Sequence, residues 1–98
     1  FTSVAESSII SSEFELMQNY PNPFNPSTTI KYSLNSEAEV KIEITDTLGQ
    51  RIKLLVNEVK PSGSHQVKFD GSNLTSGVYI YSITANGKTL SKKMQLIR

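Results

Sequence analysis

A chain of 98 residues holds one domain around one core and leaves no surplus for a second layer carrying a deep active site. Hydrophobic residues at 37% and charged residues at 19% suit a folded domain and exclude a disordered tail. Ten basic and nine acidic residues are spread along the chain for a net charge of +1, so neither nucleic acid nor an anionic membrane is an expected partner.

There is no cysteine, which removes disulfides and thiolate metal sites without fixing a redox compartment. The apolar runs are a few residues long, such as Leu54 to Val56, against the roughly 20 a membrane-crossing helix needs. Phe1 is not a natural start, and any secretory signal is expected upstream in a longer precursor.

In chain order, Phe1 to Glu13 is rich in serine, offers only Val4, Ile9 and Ile10 for burial, and reads as a linker to a domain spanning 14–98. Phe14, Leu16 and Gln18 then alternate onto one face of a first strand. The segment Asn19 to Pro26 stops it with three prolines, which donate nothing to a sheet ladder and force a rigid corner. Thr29 to Leu34 turns Ile30, Tyr32 and Leu34 inward, and Val40 to Thr45 turns Val40, Ile42 and Ile44 inward with Lys41 and Glu43 outward. Asp46-Thr47-Leu48-Gly49 has turn composition and closes a hairpin onto Arg51 to Val56, where Ile52, Leu54 and Val56 are expected inside and Leu55 outside.

Pro61-Ser62-Gly63 turns the chain into His65 to Asp70, with Val67 and Phe69 inward. Gly77 to Ala85 is the most β-like run. Tyr79, Tyr81 and Ile83 share one face and Val78 and Ile80 the other, which predicts a central strand covered on both sides. Asn86-Gly87 is a strong two-residue hairpin signal, because both positions accept positive φ. Lys88 to Ile97 returns with Leu90, Met94 and Leu96 inward. Turns every eight to twelve residues and no helical periodicity predict an all-β antiparallel sandwich of about seven strands.

Chemistry is scarce. His65 is the single histidine, no Asp-x-Asp pattern marks a calcium loop, and Asp46 and Asp70 read as turn residues. No Gly-x-Ser-x-Gly elbow occurs, and the five glycines fall one per turn, not ahead of a helix. Asn73-Leu74-Thr75 fits a glycosylation sequon within a turn-rich segment. Tyr20, Tyr32, Tyr79 and Tyr81 could form a sugar-stacking platform, but there is no tryptophan and the alternation places Tyr32 and at least one of Tyr79 and Tyr81 in the core. No catalysis, cofactor, metal or small-molecule substrate is expected. A carbohydrate-binding or structural spacer module is one open reading.

The block Asn19-Tyr20-Pro21-Asn22-Pro23-Phe24-Asn25-Pro26, followed by Thr28-Thr29-Ile30, resembles the opening of the type A C-terminal sorting domains of the bacterial type IX secretion system. Asp46-Thr47-Leu48-Gly49-Gln50-Arg51-Ile52 is similar to that family's middle motif, Leu74 to Tyr81 to its third, and Lys92-Lys93-Met94 with Leu96 to its terminal strand. The extended proline block is also similar to immunoglobulin-like parts of a flagellar hook-capping protein, and Asp46-Thr47-Leu48 resembles an O-glycan acceptor of Bacteroidetes.

The resemblance implies an immunoglobulin-like sandwich at the C-terminus of a larger cargo protein. It implies passage through the periplasm and an outer-membrane translocon to the medium or cell surface, where a sortase-like peptidase removes many such domains and joins the cargo to an anionic lipopolysaccharide. On this reading Lys92, Lys93, Met94 and Leu96 belong to the strand read by the machinery. Asn22, Pro23, Asp46, Gly49, Gly77 and Tyr79 are motif residues with structural work, and the processing site lies in or beside Phe1 to Glu13. An edge position for that strand would offer unpaired backbone groups to a receptor.

Overall fold

The alternation of apolar and polar residues is carried into strands, several of which bury every second side chain. A computed structural model describes residues 13–98; the linker expected over Phe1 to Glu13 therefore lies outside the described residues, apart from Glu13. The strands are β1 (Phe14–Leu16), β2 (Ser27–Leu34), β3 (Ala38–Thr45), β4 (Arg51–Lys60), β5 (Gly63–Asp70), β6 (Gly77–Ala85) and β7 (Lys88–Leu96), and no helix occurs among the described residues.

Two antiparallel sheets face each other, β1-β2-β5 and β4-β3-β6-β7. The immunoglobulin-like sandwich of seven strands is thus the architecture. Between the sheets lie Phe14, Ile30, Tyr32, Leu34 and Phe69 from the first and Val40, Ile42, Ile44, Tyr81, Ile83, Met94 and Leu96 from the second, each 4% exposed or less.

The register sorts the molecule into two ends. Leu34 opposite Gly63, Ala38 opposite Lys60 and Ala85 opposite Lys88 mark a near end, where the chain enters at Glu13, 3.5 Å from Lys88 Nζ. Ser27 opposite Asp70, Thr45 opposite Ile80 and Gly77 opposite Leu96 mark the far end. One flank brings β1 beside β7 and the other brings β4 beside β5.

Two hairpins and one crossover turn between the sheets follow the turn chemistry. Asp46 N–H donates to Gln50 O and Gly49 N–H to Asp46 O, both at 3.0 Å, with Gly49 at φ 87°. Asn86 and Gly87 take φ 52° and 77°, the pair of positive values that a two-residue hairpin demands. His65 Nε2 lies 2.8 Å from Pro61 O and stabilises the turn that feeds β5.

Four sequence expectations are corrected. β1 ends at Leu16, so Gln18 is exposed and Asn19 is the buried residue of that segment. Val56 is buried as expected, but register shifts at Ile42/Glu43 and Ile44/Thr45 displace the alternation of β4 before it: Ile52 and Leu54 are 38% and 37% exposed, while Leu55 packs against the core. Each bulge inserts one unpaired residue and flips the alternation after it. β6 is central but covered on one side only, since Val78 is 43% exposed and no element overlies its outer face among the described residues. Leu90 is 41% exposed although it shares parity with Met94 and Leu96, because it lies toward the near end of an edge strand.

The proline block does more than turn a corner. Phe24 within it is 1% exposed, meets Phe69 edge-on at 6.1 Å between ring centroids, and bridges Leu96 in parallel. Phe24→Ala is expected to cost about 3–5 kcal/mol of unfolding free energy in urea titration, while Leu48→Ala, at a fully open turn tip, stays within about 0.5 kcal/mol.

Candidate functional site at the far end

The terminal strand was expected to be an exposed edge, and β7 is the edge of its sheet. Its outer backbone is nevertheless occupied along the far half. Gln18 Nε2 donates to Lys93 O at 2.9 Å, Gln95 N–H donates to Asn22 Oδ1 at 3.0 Å, Phe24 N–H donates to Gln95 O at 2.9 Å, and Ile97 N–H donates to Phe24 O at 3.0 Å. Proline cannot extend a ladder, so the strap ends the sheet instead of inviting another strand.

A second clasp holds the residues beyond the strand. Arg98 N–H donates to Ser76 Oγ at 2.9 Å, and the Arg98 guanidinium donates to Gly71 O at 3.5 Å, Leu74 O at 2.7 Å and Ser72 O. Three carbonyls of one loop thereby gather around a single guanidinium nitrogen, Nη1. Space at Gly71 is tight. A Cβ on it would lie 3.3 Å from the Phe24 ring and 3.4 Å from Leu96.

The four residues assigned to the terminal strand part company. Met94 and Leu96 are core side chains, 1% exposed each, opposite Tyr79 and Gly77. Lys92, opposite Tyr81, shares their parity and is half-buried, as a long stem over apolar surface allows. Only Lys93, opposite Ile80, points fully outward.

The motif residues gather at the far end. Asn22 is part of the strap and Pro23 is exposed beside it. Asp46 Oδ1 accepts N–H groups from Leu48 and Gln50 at 2.9 Å each, which presents Leu48 at 90% exposure on a fixed turn; Thr47 is exposed there too. Gly77 opens β6, and Tyr79 donates its hydroxyl to Thr75 O at 2.7 Å, securing the loop that Arg98 grips.

Sequence reasoning missed Gln18, Asn19, Gly71, Tyr81 and Arg98 as structural keys. Tyr81 is fully buried; its hydroxyl donates to Met17 O at 2.6 Å and accepts from Asn19 N–H at 2.8 Å. Asn19 Nδ2 in turn donates to Thr28 Oγ1 at 2.9 Å and Pro21 O at 3.2 Å. The one signal available was that a polar run next to a proline block needs partners for its backbone.

Among the described residues, no group of three or more histidines or carboxylates is placed to hold a metal ion. Asp70 is held below the usual carboxylate range by the hydroxyl and N–H of Ser72, a turn function. Of the four tyrosines only Tyr20, at 80% exposed, remains available to a sugar ring; Tyr32, Tyr79 and Tyr81 are in the core.

A family model described as the secretion system C-terminal sorting domain matches residues 18–97. No curated protein matches the chain. Among solved structures, dimeric latent PorU from Porphyromonas gingivalis superposes with a TM-score of 0.62 at 23% identity, over 86% of this chain and 9% of that one. PorZ of the same organism, described as an essential surface component of its type-IX secretion system, gives 0.55 at 28% identity, over 83% and 11%. The chain therefore spans about a tenth of the length of each of these proteins.

Burial raises the Tyr81 hydroxyl above its ordinary value of 10.0, with the Asn19 N–H acting in the opposite direction. A raised folded value means that this contribution to stability is whole below the ordinary tyrosine range and is lost as pH rises through the folded value. Tyr81→Phe is expected to lose about 1–3 kcal/mol at neutral pH, by leaving Met17 O and Asn19 N–H unpaired, and to weaken the alkaline decline seen in thermal melts across that range.

Proposed function

Because the chain belongs to the family of secretion system C-terminal sorting domains and is a sorting signal of the type IX system, we propose that it carries a larger upstream cargo protein across the outer membrane by engaging the translocon. The carrying observation is the family match over 18–97, which takes in all seven strands except β1 and includes the strap and the terminal strand. Passage is through the periplasm, and delivery is to the surface or medium. A sortase-like surface peptidase is the second partner, cutting in or beside Phe1 to Glu13.

The geometry supports a domain that signals without doing chemistry. Its buried polar groups are spent on fixing the strap and the far-end loop. Of the strand assigned to recognition, Met94 and Leu96 hold the fold, which leaves Lys93 and the outer-face neighbours of β7 as what a partner meets.

The test fuses Glu13 to Arg98 behind a periplasmic fluorescent reporter in a bacterium with a working type IX system. Reporter should reach the washed cell surface or medium and be lost from both in a translocon-deficient strain. Retention in the periplasm of both strains would overturn the reading and favour a binding or spacer module.

A further inference from the structure

The geometry points to a protein-docking face at the far corner of the four-stranded sheet, built by Leu48, Val78, Ile80, Ile97, Arg51 and Lys93, whose partner is a protein surface with an apolar centre and an acidic rim. This rests on the sorting function and names the chemistry of the partner.

The face follows from register. Tyr79 and Tyr81 point into the core, so Val78 and Ile80 point out, opposite Gln95 and Lys93 of β7. On the other side Ile80 lies opposite Thr45, itself opposite Arg51, and the turn carrying Leu48 continues β3 past that point. Ile97 follows β7 at the same end, 48% exposed. Val78 is 43% exposed on this face, Leu48 at 90% stands at the turn tip beyond it, and no element covers the surface among the described residues. The near half of the same face is different: Ser82 pairs its hydroxyl with Ser91 at 2.8 Å and Thr84 with Thr89 at 2.9 Å. The near half also carries one exposed apolar side chain, Val59 at 57% opposite Glu39, whereas the far corner gathers Val78, Ile80 and Ile97 with Leu48 at the turn tip, and it is this cluster that marks a contact surface.

Charge selects the partner. Glu43 on this face serves two cations, Arg51 at 2.9 Å and Lys41 at 3.9 Å, while Lys93 has no ion-pair partner among the described residues. Glu39 lies on the same face toward the near end. Lys41, Arg51 and Lys93 against Glu43 and Asp46 leave the corner one net positive charge, carried at Lys93, and an acidic group on the partner's rim complements it. The apolar residues sit mostly on flat strands with one rigid tip, a shape that mates with a protein surface; a lipid surface would call for deeper insertion.

The experiment uses the same reporter fusion. Leu48→Asp and Val78→Glu, each at an exposed position, should leave the thermal melt in place and lower surface delivery about tenfold, the effect of losing about 1.4 kcal/mol of docking. Lys93→Glu should lower it as well, and Gln66→Glu, on the outer face of the other sheet, should not. Normal delivery by both apolar variants overturns the docking face even though the unmodified fusion still reaches the surface. Failure of the unmodified fusion overturns the sorting function itself. Co-sedimentation of the chain with phosphatidylglycerol vesicles, abolished by Val78→Glu, would replace the protein partner with a lipid one.

Discussion

Phe24 is where the two sheets and the end of the chain converge. Its ring lies by Phe69 of the three-stranded sheet and Leu96 of the four-stranded one, and it leaves little room for a side chain at Gly71. Its backbone meanwhile pairs with Gln95 and Ile97. A single residue in a proline-rich loop thus closes one flank of the sandwich and fixes the last strand. An open sandwich of this size has four strand edges to manage. Here β1 is three residues long, β4 is bulged twice, and the far half of β7 is strapped. The ladder of β5 is regular over its whole length, with its outer side unpaired among the described residues.

The strands were legible in the sequence wherever one face is dry and the ladder is regular. β2, β3 and the inner face of β6 follow the period of two, and the Asp46 to Gly49 and Asn86-Gly87 turns specify their own hairpins. Legibility failed at β4, because a bulge leaves no mark in a run of apolar and basic residues. Ile52, Leu54 and Leu55 are equally hydrophobic, and only the pairing with β3 decides which of them turns inward. It failed again at Asn19, whose burial depends on a hydroxyl 62 residues later in the chain.

The candidate site was legible as a set of motifs and not as a surface. Four motifs were visible in order, yet nothing in their spacing showed that they meet at one end of the sandwich or that Met94 and Leu96 face away from any partner. Motif residues in a small domain serve two masters. Asp46 is needed so that the turn is rigid, and what the rigid turn displays is its neighbour Leu48. Motif membership and exposure are therefore separate properties: Tyr79, Met94 and Leu96 are buried, while Lys93 and Leu48 face outward.

The separation of the two ends has a consequence for cargo. The chain enters at Glu13 beside Lys88, and Arg98 is clasped a full strand away, roughly 30 Å at the usual rise per residue. A protein attached in front is thereby tethered at the end opposite the corner that carries Leu48 and Lys93.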